Sequence, residues 1–275
     1  YEKRFPETFR VIDKENGNYG SCINRGLKEI SGKYVKILDA DDYFNVEAFD
    51  EFITLLKGVD ADLVLSFYNN VSEKGDITKC YAFKLPYNTI IQRCEIDGME
   101  EFCGVQMHAI TYRTKIFSEG KYKQSEGISY TDQEWIFTPM YNVKTVFVTN
   151  LVVYQYLLGR EGQTMDPKVL VKNSNNTIIS TLKMVSDFNT MSFSSEEDNR
   201  FFKYKLTTRL RYIYQFFLLK YRSKLSIDDL SEFDRKLRNL NQEVYNWPEK
   251  IKLLSCHYVK RWRKKPNDFM VFFLG

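Results

Sequence analysis

The segment Tyr34-Val35-Lys36-Ile37-Leu38-Asp39-Ala40-Asp41-Asp42 is the most informative stretch of this 275-residue chain. Its first five residues are mostly aromatic, β-branched or aliphatic, which is typical of a strand. Three carboxylates follow within four residues, and carboxylates this close repel one another unless a cation lies among them. Mg²⁺ and Mn²⁺ take such oxygen ligands and bridge them to phosphates. The segment therefore predicts a metal and diphosphate site at the end of a sheet strand; a solvated acidic turn before the next helix is the alternative.

Helices and strands alternate around this segment. Apolar spacing predicts a turn and helix within residues 16–30, helices over 46–57 and 130–141, and strands over 62–68, 78–85, 109–112, 145–148 and 151–154, the last two around a turn at Asn150. This order indicates an α/β fold with a mostly parallel sheet. Beyond Pro167 the pattern becomes helical, with helices predicted over 169–187, 199–221 and 227–245.

The composition limits the classes of function. The net charge is only +4, from 40 basic and 36 acidic residues, which does not indicate a nucleic-acid partner. Five scattered cysteines form no Cys-x-x-Cys pair, so the sequence supports neither a zinc site nor a disulfide framework and is typical of reduced thiols in the cytoplasm. We find no uninterrupted run of 18 or more apolar residues that would predict a membrane span.

Three ordered blocks of sequence resemble the GT-A glycosyltransferases of family 2. The first runs from the Asn16-Gly17-Asn18 turn to the Asp39-Ala40-Asp41 motif, and the others are Tyr130-Thr131-Asp132-Gln133-Glu134-Trp135 and Gly159-Arg160-Glu161-Gly162-Gln163-Thr164. The resemblance covers roughly residues 8 to 166. It implies a GT-A (Rossmann-like) catalytic domain over residues 1–166. The helical spacing beyond Pro167, which the resemblance does not cover, predicts an all-helical domain over residues 167–275 that packs against the first.

The same resemblance implies a function. Family members move a sugar from a nucleotide-diphosphate donor, most often a UDP-sugar, to a hydroxyl of a glycan or lipid-linked glycan acceptor, with inversion and with Mn²⁺ or Mg²⁺. Surface-polysaccharide or cell-wall synthesis in a bacterium is the expected pathway.

The nucleotide-binding strands that open family members are not found before the Asn16 turn, so we expect an amino-terminally truncated domain. A truncated or degenerate domain that only binds a partner is the alternative. A nucleotidyl- or phosphotransferase is disfavoured, because no Gly-x-x-x-x-Gly-Lys loop occurs.

The resemblance also assigns residues to the donor. Asp41 is the expected metal ligand, and Asp39 the expected ligand of the metal, its water or the ribose, while Asp42 is expected to cap the next helix. Arg160 is expected to contact the diphosphate, since a guanidinium binds phosphate bidentately; a structural turn with an Arg-Glu pair is the alternative. Further predicted nucleotide contacts come from three residues: Gln163, Thr164 and Asn24.

The second block is expected to hold the catalytic base. Asp132 matches the base of the family, and Glu134 is the near alternative because spacing on one short turn does not separate them. A single base implies an inverting, single-displacement reaction. His108 and Trp135 are the predicted residues of the acceptor or sugar pocket; for His108 a buried structural role is an equal alternative.

The end of the chain combines basic and aromatic residues. Residues 260–265 read Lys-Arg-Trp-Arg-Lys-Lys, and an apolar stretch follows to residue 274. This pattern suits either peripheral contact with an anionic membrane or a solvated charge run before a docked tail. The expected location is cytoplasmic, at the inner face of the membrane if the first interpretation holds.

Overall fold

The computed structural model describes residues 1–118, 122–159, 167–220, 224–250 and 254–265. The helices are α1 Asn18–Leu27, α2 Val46–Gly58, α3 Arg93–Ile96, α4 Glu100–Cys103, α5 Asp132–Phe137, α6 Pro167–Lys172, α7 Ser174–Asn189, α8 Arg200–Gln215, α9 Lys224–Leu240, α10 Gln242–Lys250 and α11 Leu254–Lys264. The strands are β1 Tyr34–Val35, β2 Tyr43–Phe44, β3 Leu63–Ser72, β4 Ile77–Tyr81, β5 Ile90–Gln92, β6 Ile110–Arg113 and β7 Thr145–Leu158.

The strands form one mixed sheet. Its order is β1-β6-β3-β7-β2, with β4 added to β3 and β5 added to β7. The long central pair β3 and β7 is parallel, and the other pairs within the described residues are antiparallel. The α/β class is confirmed, but mixed directions replace the mostly parallel sheet that the sequence predicts. One reason is the tight turn at Gly75, where φ is 87°, which sends the chain straight back from β3 into β4.

Two predicted strands differ in extent from the observed ones. The strand predicted over residues 34–38 pairs only at Tyr34 and Val35, and the chain then leaves the sheet toward the acidic turn. The two strands predicted around Asn150 form the single strand β7. Its register against β3 shifts on both sides of Phe67, so β7 accommodates the extra residues without a break.

Helix α2 begins directly after the acidic turn. Its N-cap is Asn45, whose Oδ1 accepts a hydrogen bond of 2.8 Å from the backbone N–H of Ala48. The prediction that Asp42 caps this helix is therefore wrong. The side chain of Asp42 instead accepts hydrogen bonds from β7.

One hydrophobic core joins the sheet to the helical carboxyl-terminal region. Phe137 of α5 packs edge-on against Phe202 of α8 at 5.2 Å, and Phe102 of α4 lies 5.3 Å from Phe201. All four rings are fully buried. The predicted helical region is confirmed, and it shares its core with the sheet. No helix in the described ranges is long and apolar enough to cross a membrane.

Candidate active site

The turn Asp39–Asp42 is held against the end of β7. The backbone N–H of Asp42 donates to the carbonyl of Asp39 at 3.1 Å, which closes the turn. The carboxylate of Asp42 then accepts from the hydroxyl of Tyr154 at 2.5 Å and from the backbone N–H of Leu157 at 2.8 Å. Because the backbone N–H of Asp39 also donates to Tyr154 Oη, at 3.2 Å, one tyrosine fixes both ends of the turn.

Asp39, Asp42 and His108 form a cluster of metal-ligand type. One donor atom from each lies within 4.8 Å of the others. Nδ1 of His108 is buried and has no hydrogen-bond partner among the described residues. Burial lowers the pKa of His108 to about 4, against the opposing charge of Asp132, so the imidazole is neutral and keeps a lone pair for a cation. Two carboxylates and one neutral imidazole with an unpartnered ring nitrogen fit a divalent cation such as Mn²⁺ or Mg²⁺.

The acids of the turn have different surroundings. Burial, and after it the charge of Asp42, raises the pKa of Asp39 to about 6, although a hydrogen bond with Tyr19 opposes the rise. Asp41 is exposed and adds to the negative charge felt by Asp39. The structure thus brings Asp39 into the cluster with Asp42, and leaves Asp41, the sequence-predicted ligand, on the open side of the turn.

Aromatic and basic side chains enclose the cluster. The ring of His108 stacks on Tyr156 at 4.2 Å and meets Tyr154 at 4.9 Å. Lys36 Nζ donates to the carbonyl of His108 at 2.7 Å, and burial lowers the pKa of Lys36 to about 7. Sequence reasoning missed Lys36 and Tyr154 as parts of the site. Lys36 lies in the motif segment and could have been noticed there, whereas the 115-residue separation of Tyr154 from Asp39 leaves no local signal.

Asp132 is the first residue of α5 and faces the cluster. Its charge acts on both His108 and Asp39. Gln133 Nε2 donates to Asp132 Oδ2 at 2.9 Å and reaches Gln106 Oε1 at 3.5 Å, which ties α5 to the segment before His108. Asp132 is half-buried, in contrast to the fully buried residues further along α5.

Glu134 has a different environment. It is 1% exposed, and its Oε2 accepts a hydrogen bond of 2.8 Å from the backbone N–H of Ser125. Burial raises the pKa of Glu134, and the Ser125 bond opposes the rise. The geometry gives Glu134 the role of fastening the chain before α5, and leaves Asp132 at the cluster.

Trp135 lies in the core. It is fully buried, stacked on Phe117 at 5.1 Å and packed edge-on against Tyr112 at 5.3 Å. A side chain with no exposed surface offers no ring face to a sugar, so the structure does not bring Trp135 into a pocket with His108.

Asn24 joins α1 to the chain before α5. Its amide nitrogen donates to the carbonyl of Gln124 and to Glu126 Oε1, both at 2.8 Å, and its oxygen accepts from the N–H of Gln124 at 2.8 Å. Gly20 packs so closely here that a Cβ would lie 1.9 Å from the carbonyl oxygen of Ser125. The amide of Asn24 is therefore engaged within the protein.

Other predicted residues lie at or beyond the edge of the described chain. Arg160, Gln163 and Thr164 are outside the described residues, as are residues 266–274 of the basic and apolar tail. Within α11, Trp262 is only 2% exposed and Arg263 pairs with Asp234 at 2.7 Å. The aromatic residue of the basic cluster is thus a core residue, and the structure does not support membrane contact through it.

Comparison with known proteins gives a consistent result. The model of glycosyl transferase family 2 matches residues 1–119. An uncharacterized glycosyltransferase of Mycoplasma pneumoniae, the MG060 homolog, is 24% identical over 168 residues, covering 60% of this chain and 54% of that protein. The poly(ribitol-phosphate) β-N-acetylglucosaminyltransferase TarP of Staphylococcus aureus is 22% identical over 214 residues, covering 74% of this chain and 61% of TarP. The chain thus spans between half and two thirds of the length of these relatives.

Solved structures show the fold. Residues 1–349 of S. aureus TarS in complex with UDP-GlcNAc superpose with a TM-score of 0.61 at 16% identity, covering 96% of this chain and 78% of that chain. The same TarS fragment in complex with UDP gives a TM-score of 0.59 at 15% identity, with the same coverage. The GT-A-like fold and the resemblance to family 2 that the motifs predict are confirmed.

Proposed function

We propose, from this family resemblance and the geometry of the site, that the chain is an inverting glycosyltransferase. It moves a sugar from a UDP-sugar to a hydroxyl of a glycan acceptor in surface-polysaccharide or cell-wall synthesis. The observation that carries the proposal is the cluster of Asp39, Asp42 and His108 with Asp132 facing it. Support for the donor comes from TarS, whose structures hold UDP-GlcNAc and UDP.

The acidic turn and His108 are the proposed metal holders. Asp39, Asp42 and His108 supply one donor atom each, and these atoms lie within 4.8 Å of one another. A bound Mn²⁺ or Mg²⁺ would neutralise charge on the leaving diphosphate as a Lewis acid. Asp41 remains a proposed ligand on the resemblance, as do Arg160, Gln163 and Thr164 for the diphosphate.

Asp132 is the proposed base. Its carboxylate accepts the proton of the acceptor hydroxyl while the acceptor oxygen bonds to the anomeric carbon. The bond from that carbon to the diphosphate oxygen breaks on the opposite face, so the configuration inverts. Asp132 is preferred to Glu134, because Glu134 is 1% exposed and its Oε2 is bonded to Ser125.

A turnover assay tests this proposal. The purified protein is expected to release UDP from UDP-GlcNAc with MnCl₂, to lose the activity in EDTA and to regain it when Mn²⁺ is restored.

Asp132→Asn should lower kcat on the order of 10²–10⁴-fold and leave the affinity for UDP nearly unchanged. Glu134→Gln is the comparison variant and should mainly lower Tm. Turnover without metal would remove the metal assignment, and an equal loss of binding and turnover in Asp132→Asn would make Asp132 structural.

The same assay separates the acids of the turn. Asp39→Asn should need the largest increase in Mn²⁺ concentration for half-maximal activity. Asp42→Asn should raise that concentration and also lower Tm, because its bonds with Tyr154 and Leu157 weaken. If Asp41→Asn has the larger effect on Mn²⁺, the metal is held on the open side of the turn. Metal-dependent UDP binding with no turnover on any acceptor, including poly(ribitol-phosphate), would favour the binding-only alternative.

A further inference from the structure

Helix α8 brings a buried lysine and a partly buried arginine to the candidate active site. Lys205 and Arg209 lie one helical turn apart, and each donates to a backbone carbonyl of a segment that leads into the site. The sequence predicted this helix as part of the helical carboxyl-terminal domain, without indicating which residues contact the site. Its contacts connect it directly to the segments that carry His108 and Asp132.

Lys205 holds the segment before His108. It is 6% exposed, and Nζ donates to the carbonyl of Val105 at 2.6 Å. Val105 comes three residues before His108 and two residues before the short 3-10 turn over Met107–Ala109. Burial lowers the pKa of Lys205 to about 8, against the opposing effects of Cys103 and Asp132. A buried ammonium is costly unless it is hydrogen-bonded, so this contact restricts where the segment can lie.

Arg209 holds the segment before Asp132. Nη2 donates to the carbonyl of Tyr130 at 3.3 Å, and Nε donates to Thr181 Oγ1 of α7 at 3.1 Å. Tyr130 has φ of 62°, a conformation that non-glycine residues adopt at a cost and keep only when their surroundings impose it. Asp132 follows two residues later. Arg209 thus lies between a helix and a strained residue whose backbone sets the direction in which α5 begins.

The two held segments meet at Asp132. Burial lowers the pKa of Arg209, and the negative charge of Asp132 opposes this decrease. The same charge opposes the decrease in the pKa of Lys205. Gln133 links the same two segments through Asp132 and Gln106. The charge of one acid, Asp132, therefore acts on two cations of a single helix.

We propose that Lys205 and Arg209 are positioning residues, which hold the His108 and Asp132 segments in the relative placement that proton transfer from the acceptor requires. The helical carboxyl-terminal region is then part of the catalytic unit. This inference rests on the proposed function, because positioning has meaning only if Asp132 acts on an acceptor or on water.

The experiment compares kcat, KM and Tm in six single variants, with UDP-GlcNAc and MnCl₂ as the probe. Lys205→Met and Arg209→Met should lower kcat on the order of 10- to 10²-fold, because a displacement of about 1 Å at a reacting group has an effect of this size. KM for UDP-GlcNAc should change by less than about threefold, since the donor contacts are kept. Lys205→Arg and Arg209→Lys keep the charge and bulk and should recover part of kcat.

The matched controls lie on the same helix. Lys203→Met removes a cation that pairs with Glu196, and Arg211→Met removes one two residues from Arg209; both should keep wild-type kcat. Should the methionine variants fail to fold, Lys205→Arg and Arg209→Lys carry the test, and wild-type kcat in both would overturn the proposal. It would also be overturned if kcat and donor affinity fell in proportion to Tm in every variant.

A double variant separates this inference from the proposed function. If Arg209 acts through Asp132, Arg209→Met should cause almost no further loss of turnover in an Asp132→Asn protein. Independent, multiplying losses would refute action through Asp132. Absence of Mn²⁺-dependent UDP-GlcNAc binding and of UDP release in the unaltered protein would reject the proposed function and this inference with it. Normal wild-type turnover together with an unaffected Arg209→Met rejects the inference alone.

Discussion

Asp39 shows at the scale of one residue how a site for a cation differs from an ordinary acidic turn. Its carboxyl is partly buried beside Asp42, and both effects oppose its ionisation. A solvated acidic turn, the alternative raised by the sequence, would leave such an acid near its usual pKa. The protein therefore holds a carboxylate whose charge is unfavourable until a cation joins it.

We expect the Asp39→Asn variant to be more stable than the wild-type protein at neutral pH in EDTA. The pKa of Asp39 is raised to about 6, so its contribution to stability is full at low pH and is lost as the pH rises through about 6. Asparagine resembles the protonated acid. The variant should therefore unfold about 2–4 °C above wild type at pH 7.5, and this gain should vanish toward pH 4.

Thermal unfolding at both pH values checks the prediction. Asp50→Asn, at an exposed acid of α2, is the control and should show no comparable gain. Addition of Mn²⁺ should raise Tm of wild type and leave Asp39→Asn unchanged. A variant less stable than wild type in EDTA at pH 7.5 would contradict the account of Asp39.

At the scale of elements, the segment before α5 is fastened from several sides. Asn24 and Gly20 of α1 meet residues 124–126, Glu134 reaches back to Ser125, and Arg209 holds Tyr130. The sequence predicted α1 and α5 correctly as helices, because their apolar spacing is local. It could not predict that Asn24 joins them, since that contact spans about 100 residues and an asparagine in a helix has no unique partner.

Asn24→Ala is expected to weaken the fold and not nucleotide binding. The change removes three hydrogen bonds and leaves the Gln124 N–H without its partner, so we expect a loss of about 1–3 kcal/mol in the free energy of unfolding. Denaturant unfolding and calorimetric titration with UDP and Mn²⁺ check this. Arg25→Ala, which removes a surface pair with Glu29, is the control and should lose at most about 1 kcal/mol. A selective loss of UDP affinity in Asn24→Ala would restore the predicted nucleotide contact.

The catalytic and helical regions, which the sequence predicts as two domains, share one core. Rings of α8 pack on α4 and α5, and the same helix contacts the candidate site. Hydrophobic periodicity shows that each helix has a buried face but does not show which element packs against that face. The boundary near residue 166 therefore marks a change in sequence pattern, and does not imply that the regions on either side unfold separately. The motifs located the acidic turn and Asp132 because each motif is a short local segment. They could not show that Asp39 lies beside His108, because that contact joins residues far apart in the sequence.

A single unfolding transition should follow from this shared core. Trp135 lies in the sheet-side core, and Trp262 lies in α11 of the helical region. In variants that keep one of these tryptophans, with the others replaced by phenylalanine, fluorescence should report the same Tm from either side. Circular dichroism at 222 nm on the same samples is the reference. Two separate midpoints would show that the helical region unfolds on its own.

The contact between Gly20 and the Ser125 carbonyl limits the sequences that this fold admits. Alanine normally improves a helix over glycine by about 1 kcal/mol, and at Gly26 of the same helix an added methyl group meets nothing within 4 Å. At Gly20 that methyl group would lie 1.9 Å from a backbone oxygen that cannot rotate away. A library randomised at both positions and selected for soluble expression would therefore keep alanine at 26 and discard it at 20, although helix propensity alone favours alanine over glycine at both.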